Sequence, residues 1–246
     1  MNTKLIPIGE AAKMMRISID TLRRWDKSGQ FSAIRRSEKR FYRLSDIEKY
    51  LAKLTILEAD LYITAKKWAS GVSVSEPDKL FYCQNSAVFQ TKLIKFQENL
   101  ADVSNLKNTF PLIVAISGEI GNNSFDHNIG QWPDISGIFF GYDINRREVV
   151  LADRGQGILK TLKRVKKDLA SNGEALRVAF TEIISGRSSE ARGNGLKFVK
   201  NVVRENELTL LFQTGDAKLE LKKGDNELNI TKEDSYIGGC IALIKF

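Results

Sequence analysis

The stretch Gly118-Glu119-Ile120-Gly121-Asn122-Asn123-Ser124-Phe125-Asp126-His127 constrains this chain most. It continues the apolar run Phe110 to Ile116, and the pattern predicts one helix over about Phe110 to His127. At 100° per residue, Glu119, Asn123, Asp126 and His127 share roughly a third of the helix circumference. Ile113, Ile116 and Ile120 form one flank, and Val114 and Phe125 another. A helix apolar on two flanks and polar on the third is expected to be buried, with its polar strip turned to a ligand. The alternative is a solvated helix face. On that strip Glu119 is suited to orienting or deprotonating a nucleophile, and Asn123, one turn on, to offering a neutral oxygen to a hard cation.

Two later stretches favour the ligand. Val149-Val150-Leu151-Ala152-Asp153-Arg154-Gly155-Gln156-Gly157-Ile158 is an apolar strand that runs into D-x-G-x-G-I. Arg192-Gly193-Asn194-Gly195-Leu196 opens a further helix, whose first amides and missing side chains suit a phosphate. In this order and spacing the three stretches resemble the N, G1 and G2 boxes of the gyrase, chaperone, histidine-kinase and mismatch-repair (GHKL) ATPase superfamily. The resemblance implies ATP and Mg²⁺ as cofactors. It implies Glu119 as the catalytic base and Asn123 as the metal ligand, with His127 beside them at the nucleotide. Asp153 would hold the adenine amine, with Gly155, Gly157 and Ile158 around the base. Arg192, Gly193, Gly195 and Leu196 would meet the phosphates. The loop Gly186 to Arg192 lies where the family has its lid, and Arg187 and Arg192 both remain candidates for the γ-phosphate. The spacing E-x-x-x-N-x-x-x-H is nearest the anti-sigma-factor serine kinases. Asn122 and Ser124 flank Asn123 where an alanine commonly follows it. His127 is the only histidine, which argues against a two-component histidine kinase.

Charge points to a second function. Of the formal net +8, residues 1–53 carry 13 Lys/Arg against 6 Asp/Glu, and the rest of the chain 25 against 24. A basic excess confined to one short segment suggests a polyanion partner. Cys83 and Cys240 are too few and too isolated for a metal cluster. No apolar run approaches the roughly 18 residues of a membrane span, and no signal-peptide core follows the first residues. A reducing cytoplasm is expected.

The basic segment has its own pattern. Ile8 to Met15 reads as a short helix, and Arg16-Ile17-Ser18 as a turn. Ser18 is a good N-cap for a second helix from Ile19 to Lys27, which Gly29 ends. Leu22 and Trp25 suit the core. Phe31 to Leu44 alternates Arg35, Arg36, Lys39, Arg40 and Arg43 with Phe41 and Tyr42, as in a two-stranded wing. Ser45-Asp46-Ile47-Glu48 is a capping box for a third helix. The runs I-G-E-A-A, S-x-D-T-L-R-R-W-x-x-x-G and R-F-Y-R-L-S-D-I resemble the winged helix-turn-helix of MerR-type regulators and phage excisionases. That resemblance implies contact with double-stranded DNA by Thr21, Arg23, Arg24 and Lys27 from the second helix, and by Arg40 and Arg43 from the wing.

The expected architecture is α+β. A winged helix-turn-helix domain (1–54) is followed by a connecting helix and linker (55–79). An α/β-sandwich ATP-binding domain of Bergerat type (80–246) follows, with helices on one face of a mixed sheet. The connecting helix, Leu54 to Ser70, would serve to form a homodimer. The function expected is a DNA-binding transcriptional regulator with Mg-ATP as its switch. The rivals are a serine/threonine kinase of a partner-switching system and an ATP-gated interaction protein without turnover; an ATP hydrolase is the other enzymatic outcome. A sigma factor or STAS-like protein is the partner that the first rival implies.

Overall fold

The computed structural model describes residues 4–15, 17–58, 60–182 and 194–246, with 52–58 as backbone alone. The chain divides into two compact units, Met1–Asp60 and Leu61–Phe246.

In the first unit, helix α1 (Ile8–Met15) and helix α2 (Ile19–Ser28) follow one another across the turn at Ile17 and Ser18. The Ser18 hydroxyl accepts from the Thr21 amide at 3.0 Å and caps α2. Gly29 closes the helix in the left-handed conformation, φ 75°, where a Cβ would be strained. The wing is β2 (Ile34–Arg36) paired antiparallel with β3 (Lys39–Arg43). An element that sequence pattern misses, β1 (Leu5–Pro7), pairs with the outer edge of β3. Helix α3 (Leu44–Glu58) begins one residue before Ser45, so the expected capping box lies inside it, and it runs beyond Leu54. Ile6, Ala11, Ala12, Met15, Leu22, Tyr42 and Ile47 form the core.

The second unit is built on a five-stranded sheet of order β4-β5-β6-β8-β7. Its strands are β4 (Tyr82–Cys83), β5 (Ile138–Asp143), β6 (Glu148–Asp153), β7 (Thr209–Lys222) and β8 (Asn229–Lys245). All four strand pairs are antiparallel, which corrects the expected mixed sheet. Strand β7 is one continuous strand, bent by a bulge at Gly215.

One face of the sheet carries α5 (Ser86–Ala101), α6 (Phe110–Asn128), α8 (Asn172–Thr181) and α9 (Gly195–Glu205). Phe89, Phe96, Ile113, Ile116 and Ile120 from the helices meet Ile138, Phe140, Val149, Leu151 and Ala242 from the strands. A short helix, α7 (Gly157–Leu162), packs with α8 around Leu162, Leu169 and Val178. The apolar flanks of α6 are thus buried as its periodicity implies, and its polar strip faces the N-terminus of α9.

The opposite face is covered too, which corrects the expectation of helices on one face only. Helix α4 (Leu61–Ser70) buries Leu61, Ala65, Trp68 and Ala69 there. Strand alternation turns Phe139, Gly141, Val150 and Ala152 to this side, and Gly141 lies against Phe81 and Leu61. Lys66 of α4 pairs with Glu233 of β8 at 3.7 Å. Among the described residues no helix is long and apolar enough to cross a membrane.

Candidate functional site

The polar strip of α6 serves two places at once. Toward its middle, Glu119 and Asn123 converge on Gly195, the first residue of α9. A Cβ at Gly195 would fall 2.6 Å from Glu119 Oε2 and 3.3 Å from Asn123 Nδ2, so this approach needs a glycine. Both side chains are half-buried, and neither makes a hydrogen bond or ion pair among the described residues. Among the described residues no side chain caps the N-terminus of α9, and its first amides add their partial positive charge to the same spot. Leu196 is half-buried and packs against the core. His127 sits half-buried one turn beyond Asn123, and Asp126 is exposed. Arg187, Arg192 and Gly193 lie outside the described residues.

Toward the C-terminal end of α6 the same helix reaches Asp153, the last residue of β6. Asp153 is 2% exposed. Ser124 Oγ donates to its Oδ2 at 2.8 Å, and the Gly155 amide to its Oδ1 at 2.8 Å. Burial holds its carboxyl above the ordinary 3.8, against the lowering effect of Ser124 and of the Gly155 and Cys240 amides. All three partners are neutral. A carboxylate offers about four acceptor positions, so these donors leave room for a further N–H.

The backbone around Asp153 is shaped for close approach. A Cβ at Gly239 of β8 would fall 2.2 Å from Asp153 Oδ1. Asn128 donates through Nδ2 to the Ser124 carbonyl at 2.7 Å and accepts from the Gln156 amide at 2.9 Å, which ties the end of α6 to the Gly155–Gly157 turn. Gly157 opens α7 with φ 72°. The half-buried Ile158 donates its amide to Thr214 Oγ1 at 3.2 Å, and Thr214, fully buried, donates to the Gly239 carbonyl at 2.9 Å. Ser124, Asn128, Thr214 and Gly239 were not singled out from sequence. Only Gly239 left a legible signal, since paired glycines inside a strand mark a close backbone approach.

In the first unit Arg23, Arg24 and Lys27 of α2 are exposed. Arg24 and Lys27 make no ion pair among the described residues. Arg23 pairs with Asp20 at 2.9 Å, and Arg43 approaches Asp46 at 3.8 Å. Thr21 is half-buried, with its hydroxyl 2.9 Å from that of Ser18. Arg40 is placed otherwise than expected for a wing residue free to reach DNA. Its Nε donates to Asp26 Oδ2 at 2.8 Å, and Arg35 reaches the same oxygen at 3.3 Å. The Ala33 amide donates to Asp26 Oδ1 at 2.9 Å. The Ala33 amide first, and then Arg40, hold the Asp26 carboxyl below its ordinary value.

Residues 7–43 match the family model described as MerR family regulatory protein. No curated protein matches the chain. The first unit therefore carries a MerR-type helix-turn-helix, which marks the chain as a DNA-binding regulator. The family match stops well short of the second unit.

Proposed function

We propose that the second unit is a Bergerat-type ATP-binding domain, and that the chain is a transcriptional regulator with Mg-ATP as its switch. The observation that carries this reading is the double engagement of α6. One helix presents Glu119 and Asn123, unpartnered among the described residues, to the N-terminus of α9, and steadies Asp153 through Ser124. A nucleotide needs both ends: an acceptor for its base and cation-binding and amide groups for its phosphates. Mg-ATP, when bound, supplies a transferable phosphoryl group and the divalent charge.

This chain's residues would divide the work. Asp153 accepts from the exocyclic amine of adenine, and Gly155, Gly157 and Gly239 let the backbone close around that carboxylate. Asn123 offers its amide oxygen to the cation. The amides that open α9 meet the phosphates. Glu119 takes a proton from the nucleophile. The nucleophile is water in a hydrolase and a hydroxyl in a serine/threonine kinase. In the first unit Arg24 and Lys27 face the DNA, and Asp26 holds the wing at a fixed angle through Arg40.

Incubation with γ-labelled ATP and Mg²⁺, with and without cell lysate, separates the outcomes. Free label identifies a hydrolase, and labelled protein a kinase. Binding without either product identifies a switch that does not turn over, and the absence of binding removes the reading.

A further inference from the structure

A second pocket, of about 350 Å³, lies away from Glu119 and Asp153. It is formed by α8, the C-terminal half of α9 and the turn between β7 and β8. Arg177 and Lys200 come from the two helices and Arg204 from the last turn of α9. Asp225, Asn226 and Glu227 complete the rim. None of the three cations makes an ion pair among the described residues. Asp225 is used elsewhere, accepting from the Lys222 amide at 2.7 Å. Arg204 spends one nitrogen on Asn226, at 3.3 Å, while its Nε is buried without a hydrogen-bond partner among the described residues.

That arrangement is costly as it stands. Like charges are gathered in a concave, partly desolvated place, and one guanidinium N–H there has no acceptor. Burial, then the nearby charges of Arg204 and Lys197, hold the Lys200 ammonium below the ordinary lysine range. An anion relieves all three penalties together. Asp225 and Glu227 share the lining, so an extended polyanion such as duplex DNA meets repulsion at the rim, while a single compact anion can reach the cations. The arginine fork matches the oxygens of a phosphate group, and the volume suits a small molecule rather than a polymer.

We infer that this pocket binds the phosphate group of a small anionic ligand, through Arg177, Lys200 and Arg204. The site is independent of the nucleotide reading. It shares α9 with it, at the opposite end of the helix.

The test is calorimetric titration of the full chain with inorganic phosphate, at constant ionic strength set with chloride. The expected result is a saturable isotherm in the millimolar range. Arg177→Gln and Lys200→Gln should each weaken it about tenfold, as loss of a charge-assisted hydrogen bond does. Both positions are on helix surfaces, and unchanged melting curves will establish that the variants fold. Arg204→Lys keeps the charge and removes Nε, and should also weaken binding. Asn123→Ala should leave the isotherm unchanged, which keeps this site distinct from the proposed nucleotide cleft. Absent or unsaturable phosphate binding would overturn the inference. So would affinity unchanged in Arg177→Gln and Lys200→Gln, or affinity lost in Asn123→Ala alone.

Discussion

The two units use a shielded carboxylate in opposite ways. Asp26, with its side chain 9% exposed, is held by Arg40, Arg35 and the Ala33 amide. Asp153, 2% exposed, is held by a hydroxyl and amides, with no cation among its partners. The first charge is compensated within the fold and fixes a shape: it ties α2 to the wing. The second is steadied by neutral donors alone and keeps its attraction for a further N–H. Glu119 goes one step further than Asp153, having no partner among the described residues.

The sharpest way to break that contrast is Glu119→Gln, which keeps shape and removes the base. A positioned general base is worth ~10²–10⁴-fold in rate. Single-turnover measurement should show phosphate release or phosphotransfer falling by that factor while Mg-ATP affinity stays close to the parent's. Equal rates in the two proteins would make Glu119 a structural residue like Asp26.

Folding stability should separate the two aspartates by sign. The folded pKa of Asp26 lies below 3.8, so its stabilising contribution is present above 3.8 and is lost as pH falls through the folded value. The folded pKa of Asp153 lies above 3.8, so its charge opposes folding above that folded value, and the opposition is relieved as pH falls through it. The Cys240 thiol beside it is pushed well above 9.0 by burial and by Asp153, and stays neutral throughout this window. The deficit of Asp26→Asn, about 1–3 kcal/mol at neutral pH, should therefore shrink on acidification below 3.8. The advantage of the parent over Asp153→Asn should grow as pH falls toward 3.8. Amide hydrogen exchange resolves the two units and reads both trends in one chain. Trends of the same sign would contradict the contrast.

A smaller effect sharpens the picture of the first unit. Arg24→Gln and Lys27→Gln should each make the slope of log K against log[salt] for duplex DNA shallower by about one unit, if each meets a phosphate. Arg40→Gln should lose more affinity than its change in slope accounts for, because Asp26 then no longer holds the wing. Fluorescence anisotropy over a salt series measures all three. A slope unchanged by every substitution would point the basic face at a protein.

Local chemistry made much of this legible in the sequence. Ser18 and Gly29 mark the ends of α2 by capping rules that need no tertiary context, and α6 ends within a residue of the position its periodicity predicts. Helix spacing alone puts Glu119 and Asn123 on one face; that Gly195 meets them was implied only by the family resemblance. What escaped depends on partners distant along the chain. Leu61, Ala65, Trp68 and Ala69 make an apolar stripe that suits a dimer partner or a sheet face equally well, and only the folded unit shows that the sheet takes it. Strand direction shows in the sequence only where a short turn joins neighbours, as between β5 and β6; the mixed sheet was what the family resemblance implied. Ser124 is separated from Asp153 by 29 positions, and no spacing rule pairs a helical serine with a strand-end aspartate.

The account stands most directly on calorimetric titration of the full chain with Mg-ATP, beside the Asp153→Asn variant. Unpairing one buried polar contact costs about 1–3 kcal/mol, so the account predicts saturable binding in the parent and binding weaker by that amount in the variant. No saturable binding in the parent, or the same affinity in both, would contradict it.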